Sequence, residues 1–182
     1  MEKQGRESAV PQREQCVCFT GHRELDEADL PELRQALELT LEAAWIQGYR
    51  YFYNGGALGF DLMAAEAVIA CKRRHEEIAL EIVVPHAHQT SGWPEVERCR
   101  YERLRYMADR VELLSPLYYR GCYHVRNRYM VDRSGLCLCY FNHMRGGTAY
   151  TVAYAAREGV RLVNLAMESS WHSFVEAKEK DG

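Results

Sequence analysis

The stretch Asn54-Gly55-Gly56-Ala57-Leu58-Gly59-Phe60-Asp61 sets three glycines between an aromatic run of strand character, residues 49–53, and an alanine-rich run of helical character. Glycine lets a backbone turn tightly and lets a ligand approach its N–H groups. The helix start that follows supplies N–H donors without intrahelical acceptors and the positive end of a dipole, which is where a phosphate would sit. The spacing matches neither G-x-G-x-x-G nor the Walker pattern, and a turn of this kind serves chain geometry as readily as phosphate binding. Its meaning therefore depends on its surroundings.

Outward from this turn, short β-rich runs at residues 15–19, 49–53, 78–84, 110–114, 136–141 and 161–165 alternate with longer helical runs. That alternation is what a parallel sheet with crossover helices requires. The expected fold is α/β, a Rossmann-like, open, mainly parallel sheet of about six strands with helices on both faces. Pro31 suits the first turn of a helix whose Leu33, Leu37, Leu41 and Ala44 share one face, and Gly48 suits its C-terminal cap. Further helices are expected over residues 61–74, 93–108, 123–132 and 147–158, the last stopping at Gly159.

A chain of 182 residues, 47% hydrophobic and 27% charged, is the size of one domain with a real core. The domain is expected over residues 15–168, between a flexible tail, 1–14, and a C-terminal tail or short helix, 169–182. Residues 1–14 are polar and lack the apolar centre of a signal peptide, and no run approaches the ~20 apolar residues of a membrane span. A cytoplasmic protein without membrane association is expected. The seven cysteines lack paired C-x-x-C spacing, so reduced thiols are the simplest reading. Cys16 with Cys18, and Cys137 with Cys139, alternate along strands, which points each pair to one sheet face as small buried hydrophobes.

A net charge of −3 argues against wholesale nucleic-acid binding, yet residues 98–133 carry nine arginines against four acids. Guanidinium forks suit phosphate oxygens. A solvated helix face of Arg and Glu pairs accounts for residues 98–105 without any ligand.

In open α/β sheets ligands bind beyond the carboxyl ends of the strands, and there the unusual residues gather. The first strand is followed by Thr20-Gly21-His22-Arg23, the second by the triple-glycine turn, and the third by Pro85-His86-Ala87-His88-Gln89 and Trp93. The fourth leads to Ser115-Pro116, a tyrosine-rich loop and Arg126-Asn127-Arg128, and the fifth to Asn142-His143-Met144-Arg145-Gly146-Gly147-Thr148. Turns that precede strands carry plain stops such as Gly48 and Gly159.

Taken together, Thr20-Gly21-His22-Arg23, the run from Asn54 to Glu66, and Pro85 with Gln89 and Trp93 resemble the YpsA-like branch of the SLOG superfamily, which joins the Smf/DprA and LOG proteins. Arg126-Asn127 followed by Ser134 resembles the R-N-x-x-(apolar)-x-x-x-S segment of DprA, and Gly146-Gly147-Thr148 resembles the superfamily's second Gly-rich turn. The likeness covers about residues 15–165. It implies a Rossmann-like domain, often dimeric, that binds a nucleotide or nucleotide-derived ligand, ADP-ribose-like or similar, across two Gly-rich turns. DprA proteins bind single-stranded DNA and LOG proteins hydrolyse a nucleoside monophosphate to base and ribose phosphate, so fold alone does not choose an activity.

One departure bears on that choice. LOG enzymes carry P-G-G-x-G-T-x-x-E with a catalytic glutamate, whereas Thr151 stands three residues after Thr148 here. The remaining catalytic candidates are Asp61 and Glu66, which lie about 140° apart around a helix and make a poor acid and base pair. Glu66 also reads as a salt-bridge or interface residue, and Asp61 as an N-cap.

The ligand set expected from these turns comprises Thr20, Gly21, His22 and Arg23; Asn54, Gly55, Gly56, Gly59 and Asp61; and Pro85, Gln89 and Trp93. To these it adds Arg126 and Asn127, and Arg145, Gly146, Gly147 and Thr148. Arg23 and Arg126 are the charged phosphate partners, although each also reads as a surface arginine. Trp93 and the loop tyrosines Tyr118, Tyr119 and Tyr123 offer stacking surfaces. His86 and His88 lack a third ligand, so neither a metal nor a firm cofactor is expected. A sensor or signalling module stands first, a glycosidic-bond hydrolase second, and a single-strand DNA binder third.

Overall fold

A computed structural model describes residues 11–144 and 146–177. Six parallel strands, β1 (Cys16–Gly21), β2 (Tyr51–Asn54), β3 (Ala79–Val84), β4 (Arg110–Leu113), β5 (Leu136–Tyr140) and β6 (Arg161–Asn164), form one sheet in the order β4-β3-β2-β1-β5-β6. Crossovers run through α1 (Leu30–Ile46), α2 (Phe60–Lys72), α3 (Glu95–Met107), α4 (Cys122–Asp132) and α5 (Gly146–Arg157), and α6 (Glu168–Glu176) follows β6. The expected α/β architecture is the observed one. Element ends shift by a residue or two, except that Trp93 lies in a turn before α3, its N–H bonded to the Thr90 carbonyl at 3.1 Å, because Pro94 caps that helix.

Residue alternation sorts the core into two layers. Val17, Phe19, Phe52, Leu80, Ile82, Leu136 and Leu138 pack under α1, α2, α3 and α6. Their neighbours Cys16, Cys18, Tyr53, Val83, Cys137 and Cys139 pack under α4 and α5. Strand period two places i and i+2 on one face, so each cysteine pair is buried together, as small hydrophobes are. Strands β1 to β4 step one way across the sheet with α1, α2 and α3 on one face, and β5 and β6 step the other way through α4 and α5 on the opposite face. Right-handed crossovers demand that change of face.

Both glycine stops have the predicted geometry. After α1, Gly48 N–H meets the Trp45 carbonyl and Tyr49 N–H the Ala44 carbonyl; after α5, Gly159 meets Ala156 and Val160 meets Ala155. These are Schellman pairs that satisfy the last carbonyls of each helix. Among the described residues no helix is long and apolar enough to cross a membrane.

The reversal of strand order falls between β1 and β5, which pair from Val17 with Leu136 to Gly21 with Tyr140. A crevice therefore opens beyond the carboxyl ends of these two strands, where the parallel topology also directs the N-termini of the crossover helices.

Candidate functional site

The crevice holds a cleft of about 370 Å³. From the end of β1 it is lined by Thr20, Gly21, His22 and Arg23, from the β2–α2 segment by Ala57 and Asp61, and from α4 by Tyr123, Arg126 and Asn127. The opposite wall is His143 with Gly146, Gly147 and Thr148 at the start of α5. Elements more than a hundred residues apart in sequence thus converge on one volume. Arg145 lies outside the described residues.

The two Gly-rich turns differ in kind. At Gly146 and Gly147 an added Cβ would meet nothing within 4 Å, so the first turn of α5 opens directly onto the cleft. Its leading N–H groups have no acceptor within the helix, and the positive end of the dipole faces the volume. The β2 turn is filled instead. A Cβ on Gly55 would strike the Arg126 guanidinium, one on Gly56 would meet the Tyr101 ring at 2.6 Å, and one on Gly59 would run into the carbonyls of His22 and Arg23.

Gly59 has φ +78°, a left-handed conformation natural to glycine, and Phe60 N–H, just beyond it, bonds to the His22 carbonyl at 3.1 Å. Asn54, fully buried, donates to the Asp61 carbonyl at 2.8 Å and accepts from Gly56 N–H at 2.7 Å. Gln89 reaches the Gly56 carbonyl at 3.5 Å, Pro85 is buried, and Trp93 packs edge-on to Tyr101 at 5.6 Å. Asn54, Gly55, Gly56, Gly59, Pro85, Gln89 and Trp93 thus form the support behind the cleft, whereas the other described ligand candidates line it.

Arg126 ties that support to the opposite wall. Its Nη1 donates to the Gly55 carbonyl, and its Nε donates to Asn127 Oδ1 at 2.7 Å. Asn127 Nδ2 donates to Thr151 Oγ1 at 2.8 Å, and the Thr151 hydroxyl donates to the Gly147 carbonyl at 2.9 Å. Donation thus runs outward from Arg126, one way to the β2 turn and the other, through Asn127 and Thr151, to the first turn of α5. Burial lowers the pKa of the guanidinium, with the Asp61 charge opposing and the Arg23 charge assisting. Among the described residues Arg126 Nη2 makes no hydrogen bond, so that nitrogen is available to a ligand.

Asp61 is the second residue of α2 rather than its N-cap, which is Gly59. Its Oδ2 accepts the Ala57 N–H at 3.3 Å. Burial pushes its carboxyl up to about 6, against the pull of Arg126, the Ala57 amide and Arg23. Glu66 lies elsewhere: its two oxygens take Arg100 Nε at 2.5 Å and Nη2 at 2.7 Å, a fork that joins α2 to α3.

Flat rings complete the cleft. Tyr123 sits in the first turn of α4, with the Arg23 guanidinium 5.6 Å and that of Arg126 6.0 Å from its ring centre. Tyr118 and Tyr119 are exposed in the preceding loop. His86 Nδ1 faces the His88 N–H at 3.3 Å and so accepts, which leaves the proton on Nε2 to donate to Tyr123 Oη at 3.1 Å. His22 and His143 stack at 3.6 Å with 14° between planes. His22 Nε2 accepts the Asn142 N–H at 3.4 Å, so its proton is on Nδ1, and burial and His143 both lower its pKa.

Phe19, Glu24, Ala57 and His143 line the cleft beyond the set expected from the sequence, and no local signal singles them out. Tyr123, read from the sequence as a stacking surface on a loop, lines the cleft from α4. Among the described residues a grouping of possible metal donors occurs at Glu42, Cys71 and His75, all within 4.8 Å, away from the cleft. There Glu42 is engaged by Arg74 Nε at 2.9 Å and by His75 Nε2 at 2.8 Å.

A sequence model of the YspA SLOG family, YpsA, matches residues 17–164. A UPF0398 protein of Halalkalibacterium halodurans is 32% identical over 128 residues, 69% of this chain and 68% of the relative. Another from Bacillus thuringiensis is 25% identical over 134 residues, 72% of this chain and 73% of its own. Among solved structures, DNA processing protein A of Helicobacter pylori aligns with TM-score 0.60 and 16% identity, over 91% of this chain and 80% of that one. The Streptococcus pneumoniae DprA aligns with TM-score 0.59 and 15% identity over 93% of this chain, which spans 57% of the pneumococcal protein. At such identities the structural likeness speaks for the fold. The family model spans both walls of the cleft, and the chain belongs to the YpsA SLOG family.

Proposed function

We propose that the cleft binds a nucleotide-derived small molecule, with a phosphate or diphosphate at the first turn of α5 and the base or ribose against the flat rings, and that the protein acts as a ligand sensor. The observation that carries this reading is the open α5 start, Gly146 to Thr148, facing Arg23 and the free Nη2 of Arg126 across about 370 Å³. Backbone donors, a helix dipole and two guanidiniums match an anion, and a volume of that size suits a small ligand. Hydrolysis finds less support. Thr151, at the place of the LOG glutamate, spends its hydroxyl on Gly147 and Asn127, and Glu66 is paired with Arg100 outside the cleft.

Binding of single-stranded DNA, as described for the Helicobacter pylori protein, is a second reading favoured by exposed Tyr118 and Tyr119 near the cleft. It is weakened because Arg100, Arg105 and Arg110 of the basic segment are engaged by Glu66, Glu102 and Glu112. The test is thermal denaturation with ADP-ribose, AMP and a single-stranded oligonucleotide. A rise in melting temperature with a nucleotide that is lost in Gly147→Val supports the proposal. A rise with the oligonucleotide alone, steeply reduced by salt, transfers the site to DNA.

A further inference from the structure

A second recess of about 590 Å³ lies on the α4 face of the sheet, at the amino-terminal half of β2, β3 and β4. In this region Tyr53, Glu81 and Arg110 are register partners on neighbouring strands. Strand alternation turns Leu80 and Ile82 into the core beneath α2 and α3, and so turns Glu81 to the other face, beside α4. The walls are aromatic: Tyr51 and Tyr53 from β2 and Tyr129 from α4.

Glu81 is anomalous in this setting. Its side chain is 16% exposed, its Oε2 is 3.9 Å from Arg110 Nε, and its Oε1 is buried with no hydrogen-bond partner among the described residues. A buried acceptor without a partner is uncommon because the lost hydration is not replaced. Among the described residues every other charge that lines the recess is engaged. Arg13 donates to the carbonyls of Ser134 and Glu158, each at 2.9 Å, and Arg110 donates to Glu112 at 2.7 Å. Arg133 lies 3.5 Å over the Tyr129 ring and donates to its carbonyl. Asp109 receives Lys72 and the Leu80 N–H, and Asp132 receives the Tyr154 hydroxyl at 2.7 Å. Burial raises the Glu81 pKa, as expected of a carboxyl without enough donors.

We propose that this recess is a second ligand site, which takes a small flat organic base of amidinium or aminopyrimidine type, its N–H edge on Glu81 and its ring against the tyrosines. A carboxylate pairs with two adjacent N–H donors of a planar group, and tyrosine rings favour both stacking and cations. An anionic ligand would leave Oε1 unpaired and add a like charge beside it. The site is separate from the cleft, which lies at the opposite ends of the strands, and needs no property of it.

The test uses the full chain with benzamidine as probe and benzoate as its anionic isostere, followed by calorimetry and by NMR shifts of tyrosine resonances. The expected result is saturable binding of benzamidine with shifts at Tyr51 and Tyr129, and none for benzoate. Glu81→Gln, isosteric and neutral, should weaken benzamidine roughly tenfold or more, because a hydrogen bond to a charged acceptor is lost. Gly147→Val should leave it unchanged. If Glu81→Gln fails to fold, Tyr51→Leu, at a half-buried position, must weaken binding in its place. No binding in the millimolar range, equal binding of benzoate, or an affinity indifferent to these substitutions overturns the proposal.

Discussion

Asn127 Nδ2 donates to Thr151 Oγ1 at 2.8 Å, and this bond locks α4 to α5 beside the open start of α5. Thr151 is buried and its hydroxyl donates to the Gly147 carbonyl, so a single hydroxyl links Asn127 of α4 to the first turn of α5 at the cleft. Thr151→Val should destabilise the fold by about 1–3 kcal/mol, because the Asn127 donor and the Gly147 carbonyl lose a partner at nearly constant side-chain shape. Urea denaturation checks this. A variant as stable as wild type would show that the donor series carries no energy.

The two Gly-rich turns predict opposite responses to one methyl group. Gly59→Ala should destabilise severely, since its Cβ collides with backbone carbonyls at a φ that other residues rarely adopt. Gly147→Ala should change stability by roughly 1 kcal/mol or less, because the Cβ enters open space and helix propensity improves. Thermal melts of both variants decide the point, and equal losses would refute the distinction between a packed and an open turn.

Enlarging the same open position should separate binding from folding. Gly147→Val should retain the fold while abolishing the stabilisation by a nucleotide, which for saturating ligand at a hundred times its Kd amounts to about 2.7 kcal/mol. If the ligand still stabilises the valine variant fully, the phosphate does not lie at α5.

Asp61 should make both stability and anion affinity depend on pH. Its carboxyl rises from an ordinary 3.8 to about 6 in the fold. Between these values the folded protein holds a proton that the unfolded chain has released, so stability falls as pH rises and the whole penalty, roughly 3 kcal/mol, is present above the window. The stability of wild type relative to Asp61→Asn should decline across that window. The diphosphate of ADP-ribose does not titrate there, and it should bind more tightly below pH 6 than above, because an ionised Asp61 repels it. A flat difference in urea midpoints would place the titration elsewhere.

Glu66 offers a contrast. Its pairing with Arg100 is about a third exposed on both sides, 37% and 29%, and lies outside the cleft. Glu66→Gln should alter stability by about 1 kcal/mol or less and leave nucleotide binding untouched. A loss of binding in this variant would reopen its candidacy.

Much of the architecture was legible locally. Strand and helix periods, Pro31 at a helix start, and Gly48 and Gly159 at helix stops are short-range signals, governed by residues within a turn or two, and each appears in the structure as read. The carboxyl edge of the sheet was legible for the same reason, since unusual residues followed strands and plain stops preceded them. The motif Arg126-Asn127 was visible, but its work was not: nothing near it in sequence tells that it reaches the Gly55 carbonyl 71 residues away.

By itself, then, the sequence determined the order and type of the elements, the family, and the edge at which the cleft opens, because periodicity and turn chemistry are local. Only the tertiary structure decided what the glycines are for. The triple-glycine turn after β2 looks like the phosphate cradle, yet Arg126 and Tyr101 arrive from distant helices and occupy the space its missing side chains leave. The shorter pair at Gly146 and Gly147 keeps its space open. Which turn is filled depends on long-range packing, and a glycine in sequence records a missing side chain without recording what takes its place.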